Sequence, residues 1–380
     1  MSTAMGLHGI PDDILELILL HLDSPICLVR ASSTCKRWRH IVAGTVFLQR
    51  FRSLHEPPVV CSYRNNRLVK SRPDYEPSPS KSPATIDSRY LSLDFLPVNF
   101  KGCWNIRDSR GSVLLLDREY IREAYSRDTD MFVCEPLTRR CQLIPRLMAS
   151  PAEYRTEAFL LRGAEDIDMS NFRIFYMYQP TGIAGIFTSK TGSWRRLSIY
   201  VHGMHHLGFA AGSTYWYNTN WISTVYALDH NTAEYSSFLL MLPDVGNNVD
   251  EPFFNICSRL GVTTGRDGKA RILFLGADDN LKIFIATNKG SHGGSECVVE
   301  KSIQLSPSML GVHQNCSIVS VETVCTVQIF VSRGSTEPPA WFSLDIETKE
   351  LQPMTNTSRS TGFPIKLPWP PTMHACTVHS

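Results

Sequence analysis

The stretch that decides the N-terminal fold spans residues 10–42 and reads IPDDILELILLHLDSPICLVRASSTCKRWRHIV. Its apolar side chains recur with the period of an α-helix, which predicts a buried stripe along the first helix. That stripe comprises Leu15, Ile18 and Leu22. Pro11 fits a first helical residue, and Asp12 favours the positive end of the helix dipole. Residues 7–54 are therefore predicted to form a small module of three helices.

This helical module is too small to enclose a large core. Short helices bury little apolar surface alone, and domains of about 40 residues are marginally stable. The first helix is also apolar on more than one side, because Ile14 and Leu17 lie off the stripe. We therefore expect the module to complete its core against a partner. The alternative is an independent helical hairpin with Trp38 in its core.

The spacing of rare residue types in this stretch resembles the F-box family. The family pattern combines an apolar-Pro-x-Asp start, Leu and Ile at fixed steps, and a Cys-Lys-x-Trp-Arg ending. Thr34 stands where the family usually has an aliphatic residue, and Ile10 replaces the commoner Leu. The resemblance implies that this surface binds a Skp-type adaptor. The implied adaptor-binding residues are Ile10, Pro11, Leu15, Ile18, Leu22, Leu28, Cys35, Lys36 and Trp38.

The same resemblance implies a role without catalysis. In the F-box family the adaptor joins a cullin scaffold, and a separate region holds a substrate protein near the ubiquitin-charged enzyme. The expected function is therefore substrate recognition in an SCF-type (Skp-cullin-F-box) E3 ubiquitin ligase. No catalytic residue and no cofactor are expected, and the substrate protein is unknown. Two alternatives stay open: a β-propeller lectin or enzyme with a helical extension, and an F-box scaffold that acts outside degradation.

The chain changes character after the helical module. Residues 55–88 contain the stretch SRPDYEPSPSKSPATIDS, which is too poor in apolar residues to order itself and reads as a linker. Over residues 89–355, short apolar runs such as SVLLLD, FRIFYMY and ARILFLG alternate with turn signals, which predicts an all-β domain. Residues 356–380 are assigned to a C-terminal tail. The predicted fold class is therefore α+β and multidomain.

One unit recurs in the β region: a strand, a short turn that contains Thr, and a second strand. The turn threonines are Thr138, Thr191, Thr232 and Thr348. The segments LKIFIATN and CVVEKSIQLS fit a copy that is missing from this series. The first two gaps between these threonines are close to the length of a propeller blade, and the last gap is wide enough for two further blades. This spacing predicts a kelch-like β-propeller of about six blades, with a sandwich or an irregular pair of sheets as the alternative.

Three segments of the β region, KGCWNIRDSRGSVLLLD, VCEPLTRRCQLIP and GFAAGSTYWYN, resemble the F-box-associated region of plant F-box proteins. Glu135 stands where those relatives usually have Asn. The resemblance implies that the β domain binds the substrate protein and that the source is a plant.

Composition excludes several other classes of protein. The net charge is only +2, so the chain lacks the basic excess of a nucleic-acid-binding protein. The 11 cysteines are scattered singly without a CxxC pair. That pattern indicates buried free thiols in a reducing compartment and predicts the cytoplasm or the nucleus. The apolar run at residues 14–22 is too short for a membrane span, so no membrane association is expected.

Other candidate sites are few. The stretch HGMHHLG groups histidines without an acidic or Cys partner, so exposed loop histidines are expected rather than a metal site. Packing rather than sugar stacking is expected of the aromatic cluster at Trp216. Substrate contacts are expected from three loops on one face of the propeller, at 202–208, 243–254 and 288–296. The candidate residues are His205, Phe253 and Phe254.

Overall fold

A computed structural model of the chain describes the following residues: 10–22, 25–55, 59–65, 73–77, 91–97, 103–121, 127–147, 156–162, 167–178, 183–199, 203–218, 224–242, 253–276, 279–288, 295–305, 315–320, 324–332, 340–354 and 362–366. The chain divides into two compact units. The first unit is Met1–Arg146, Asp166–Ser170 and Thr361–Ser380, and the second is Leu147–Glu165 and Asn171–Ser360.

The helical module contains four helices where three were predicted: α1 (Asp12–Leu20), α2 (Pro25–Thr34), α3 (Lys36–Ala43) and α4 (Thr45–Leu54). The count differs because Gly44, with extended backbone, separates α3 from α4. Helix α1 begins one residue after Pro11, which is its N-cap. The shared core consists of Leu19, Leu20, Leu28, Ala31, Val42, Phe47, Leu48 and Phe51.

The rest of the described chain is almost entirely β. It starts with β1 (Val59–Arg64) and β2 (Asp74–Pro77). The first meander is β3 (Cys103–Arg110), β4 (Val113–Ile121), β5 (Arg127–Glu135) and β6 (Arg140–Ile144). The second is β7 (Thr156–Leu160), β8 (Arg173–Tyr178), β9 (Ile183–Thr188) and β10 (Ser193–Leu197). The third is β11 (Met204–Ala210), β12 (Ser213–Asn218), β13 (Thr224–Asp229) and β14 (Tyr235–Leu240).

A short helix α5 (Phe253–Ser258) precedes the fourth meander, which is β15 (Leu260–Thr264), β16 (Ala270–Leu275), β17 (Asn280–Asn288) and β18 (Ser295–Gln304). The fifth is β19 (Asn315–Ser320), β20 (Thr326–Ser332), β21 (Ala340–Asp345) and β22 (Leu351–Pro353), and β23 (Phe363–Lys366) follows. Each meander is a four-stranded antiparallel sheet in chain order, and a short parallel pairing of β14 with β18 joins the third and fourth.

Strand β1 lies between β2 and β23 in a three-stranded sheet, so the two ends of the β region pair with each other. The described sheets are thus five meanders and this one, which matches the predicted number of about six blades. The prediction of a helical module followed by an all-β, propeller-type domain is confirmed. Such sheets are the repeating unit of a β-propeller.

The ranges assigned to the linker and the tail differ from the prediction, because both contain strands. Cys61 and Tyr63 on β1 and Ile365 on β23 are fully buried in one core of the first unit. The Tyr63 hydroxyl also donates a hydrogen bond to the Leu91 carbonyl at 2.6 Å. Composition favoured a linker because the Pro- and Ser-dense stretch is poor in apolar residues, although it contains β2. Strand β2 pairs with β1, and β1 pairs with β23 about 300 residues away. Most of that stretch lies outside the described residues.

The Thr-containing turns lie where the repeat predicted them, between the third and fourth strands of four meanders. The best-formed copy starts at Asp229, whose carboxylate accepts the backbone N–H groups of Asn231 and Thr232, each at 2.8 Å. Asp345 accepts those of the corresponding residues at 2.8 and 3.0 Å. The residue after each Thr has positive φ; these residues are Arg139, Gly192, Ala233 and Lys349. The additional copy of this unit that was predicted between Thr232 and Thr348 is also confirmed, because β17 and β18 pair as antiparallel strands.

Cationic side chains of the second meander hold the turn that follows Asp229. The guanidinium of Arg173 donates to the carbonyl oxygens of Arg162 at 2.9 Å, Asn231 at 3.1 Å and His230. Burial lowers the pKa of Arg173. Arg195 donates to the Ala233 carbonyl at 2.8 Å. These contacts fasten neighbouring sheets of the second unit through charge-assisted hydrogen bonds.

Candidate functional site

Helix α1 presents an apolar face that the described part of the chain does not cover. Ile14, Leu17 and Ile18 are 44 %, 46 % and 48 % exposed. Leu17 and Ile18 lie three and four residues after Ile14, so the three side chains form one continuous strip along the helix. Single exposed apolar residues are common, but three neighbouring ones on a short helix are a candidate interaction surface.

The opposite side of α1 is the inner side. Leu15 is 1 % exposed, and Leu19 and Leu20 are buried beside it. Polar contacts orient the helix as well. Asp12 pairs with Arg37 of α3 at 2.6 Å, and Glu16 pairs with Arg50 of α4. The strip is therefore held on a helix that two neighbours, α3 and α4, fix in place.

The predicted adaptor-binding residues divide into two groups. Leu15 and Leu28 are buried within the module and cannot touch a partner in this arrangement. The exposed or partly exposed residues are Ile10, Pro11, Ile18, Leu22, Cys35, Lys36 and Trp38. The apolar period predicted helix α1, but it did not separate the buried side of the helix from the exposed side. Ile14 and Leu17 also belong to the exposed strip. In the sequence, the only indication of this was their position off the predicted stripe.

The candidate substrate residues do not form one site in the described structure. His205 lies on β11 and is half-buried. Phe253 and Phe254 begin α5, and their side chains lie outside the described residues. Most of the loop residues at 202–208, 243–254 and 288–296 either form strands or lie outside the described part of the chain.

Strand order contradicts the prediction that the three loops share one face. Strands β11 and β15 are the first strands of their meanders, whereas β18 is a fourth strand of the same eight-stranded sheet. First and fourth strands of an antiparallel meander run in opposite directions. The start of β18 therefore lies at the opposite end of the sheet from the starts of β11 and β15.

The remaining sequence candidates have plain structural roles where they are described. Trp216 has no exposed surface and packs against Phe175, with ring centroids 5.3 Å apart, so packing is confirmed for it. No cluster of three metal-ligating side chains occurs in the described ranges. Within those ranges, no helix is long and apolar enough to cross a membrane. The cysteines that are described are all free thiols.

Residues 7–53, which contain the four helices and the exposed strip, match the family model of F-box-like domains. The chain carries an F-box-like domain. F-box domains generally bind Skp-type adaptors. The exposed strip of Ile14, Leu17 and Ile18 is therefore the candidate adaptor-binding surface of this F-box-like domain. No curated protein is similar enough in sequence to match the chain.

Solved structures similar to the chain include the β-propeller domain of the Trilobed protease from Pyrococcus furiosus. It is 10 % identical, with 67 % of this chain and 71 % of that chain covered and a TM-score of 0.38. A mutant of Aleuria aurantia lectin in complex with alpha-methyl-L-fucoside is also 10 % identical, with 69 % and 81 % covered and a TM-score of 0.33.

Proposed function

We infer that the chain is the substrate-recognition subunit of an SCF-type E3 ubiquitin ligase. The F-box-like domain docks onto a Skp-type adaptor, the adaptor joins the cullin scaffold, and the β domain holds a target protein. The chain itself carries out no catalytic step. Its contribution is to raise the effective concentration of the target near the ubiquitin-charged enzyme. This assembly works in a reducing compartment, either the cytoplasm or the nucleus.

The observation that carries this proposal is the combination of the F-box-like match with the exposed strip on α1. A module with four helices of 8–10 residues leaves Ile14, Leu17 and Ile18 in water. Burial of such side chains against an adaptor is favourable, because it removes apolar surface from water. The free thiols support the reducing compartment, since disulfides persist in oxidising ones.

Assembly from purified components tests the adaptor step. The full chain, mixed with a Skp-type adaptor and then with the cullin scaffold, should elute as one complex in size-exclusion chromatography. Ile18→Lys should prevent its formation, because a charge replaces the most exposed apolar side chain of the strip. The matched control is Leu54→Lys, which changes an apolar residue on α4 that is 63 % exposed. Absence of a complex with the folded wild-type chain would refute the proposal.

Substrate turnover separates this proposal from a scaffold that binds the adaptor without degradation. Proteins captured by the wild-type chain and lost with Ile18→Lys should accumulate when the proteasome is inhibited. They should also gain ubiquitin in a reconstituted reaction. Captured proteins that are neither ubiquitinated nor stabilised would favour the scaffold function.

A further inference from the structure

Two cysteines face each other across the last two strands of the first meander. In the antiparallel pairing of β5 with β6, Cys134 lies directly opposite Cys141. Cys134 is a member of the apolar core of the first unit, and Cys141 packs against the same core. Both side chains therefore project from the same face of the sheet. Both are free thiols.

The backbone spacing of such a pair is close to that of a disulfide bond. Residues directly opposite each other in an antiparallel ladder have Cα atoms about 4.5–5.5 Å apart, and their Cβ atoms are separated by a similar distance. A disulfide joins Cα atoms about 4.4–6.8 Å apart and Cβ atoms about 3.5–4.5 Å apart. A bond between Cys134 and Cys141 therefore needs only a small approach of the two Cβ atoms.

This arrangement is particular to Cys134 and Cys141. In the part of the chain that the structure describes, they are the one pair of cysteines that lie directly opposite each other on paired strands. The other cysteines on the described strands lie opposite residues of other types; they are Cys61, Cys103, Cys297 and Cys316. The pair also flanks the turn at Pro136–Thr138, so a bond would close the base of a hairpin.

The two thiols differ in access to solvent. Cys134 has no exposed surface, whereas Cys141 is partly exposed on β6, the last strand of its sheet. Burial raises the pKa of Cys141 to about 11. Burial, followed by the charges of Cys141 and Glu135, raises the pKa of Cys134 well above its ordinary value. A small reagent therefore reaches Cys141 first, and Cys134 is the thiol that completes a bond.

We propose that Cys134 and Cys141 are a reversible redox pair that forms a disulfide across the β5–β6 hairpin when small-molecule disulfides accumulate. The Cys141 thiolate attacks the small disulfide RSSR, so that a Cys141–S–SR bond forms and one RS⁻ leaves. The Cys134 thiol then loses its proton and attacks the Cys141 sulfur, and the second RS⁻ leaves. The two protein thiols give up two electrons and two protons, and RSSR becomes two RSH.

The bond would act as a covalent latch on this hairpin. In a reducing compartment the pair rests as two thiols. Only a thiolate attacks a disulfide, so the raised pKa of Cys141 makes the exchange slow and suits a response to sustained oxidation. A closed loop has fewer conformations in the unfolded chain, so the oxidised first unit should resist unfolding more strongly.

Peptide mapping of the full chain tests for this bond. Trypsin cuts after Arg139 and after Arg140, so it places the two cysteines in separate peptides, residues 128–139 and residues 141–146. The chain is equilibrated with mixtures of oxidised and reduced glutathione and then quenched with acid. The two peptides should appear as one linked species, lighter by two hydrogen atoms than their sum, which dithiothreitol separates again.

Cys141→Ala should abolish the linked species, and the matched control Cys297→Ala should retain it, because Cys297 has no cysteine opposite it. The proposal is overturned if both thiols stay free at the most oxidising ratio. It is also overturned if Cys134 links to Cys61, which lies in the same core, instead of to Cys141.

Proximity in the sequence is a competing explanation, because cysteines this close in the chain can also join when the protein is unfolded. The same equilibrium is therefore measured in urea. The equilibrium constant for forming the bond should be about tenfold or more larger in the folded chain than in urea. By thermodynamic linkage, the oxidised chain should also unfold at a higher urea concentration than the reduced chain. An equal or smaller constant in the folded chain would show that the fold does not build this pair.

Discussion

Substitutions on the two sides of α1 should have different effects on adaptor binding and on stability. Ile14, Leu17 and Ile18 are exposed by nearly half of their surface, whereas Leu15 is almost completely buried. Full burial of such a side chain contributes about 2 kcal/mol, so covering the exposed half contributes about 1 kcal/mol. Replacing all three with Ala should therefore cost about 3 kcal/mol of binding free energy, or on the order of 100-fold in Kd.

The same triple substitution should leave the module folded. Ala has the highest helix propensity, and the three side chains contribute little to the core. In contrast, Leu15→Ala removes a buried side chain and should lower the unfolding free energy of the F-box-like domain by about 2–5 kcal/mol. The measurements are calorimetric titration of the full chain with a Skp-type adaptor and urea denaturation of each variant.

Val46→Ala with Leu54→Ala is the matched control for this experiment. Both residues lie on α4 and are 65 % and 63 % exposed, so they are apolar and accessible but lie outside the α1 strip. This control should change Kd by less than about threefold. The reasoning is refuted if the α4 pair weakens adaptor binding as much as the α1 triple does. It is also refuted if the α1 triple binds with unchanged Kd.

Three further predictions concern stability. Arg173→Met should lower the unfolding free energy of the second unit by about 2–4 kcal/mol, because three carbonyls lose a charged donor. In the same urea denaturation, Arg196→Met at an exposed position should have almost no effect. Ile365→Ala should cost about 2–5 kcal/mol in the first unit, and a smaller loss would mean that β23 contributes little to its core. Burial raises the pKa of the Cys297 thiol from 9.0 to about 12, so this thiol ionises first in the unfolded chain. Stability should fall as pH rises from about 9 toward 12, and Cys297→Ala should show a shallower fall.

Local sequence patterns determined the elements that local interactions build. The helical period predicted the helical module, and the recurring Thr-containing unit predicted the turns. In the copy at Asp229, the carboxylate accepts N–H groups two and three residues away. Such contacts need no distant partner, so the sequence can specify them. The same holds for the five meanders, since each is a run of strands that are neighbours in the sequence.

Only the tertiary structure decided which side chains face a partner and which segments close the fold. Leu15 and Ile18 share one helical period, yet packing against α3 and α4 buries the first and leaves the second exposed. Pairing of β1 with β23 joins positions about 300 residues apart, and Trp216 reaches Glu157 across 59 residues. Contacts of this kind depend on the mutual placement of elements that are remote in the chain. No local period or motif encodes that placement, because it follows from how all the elements pack together.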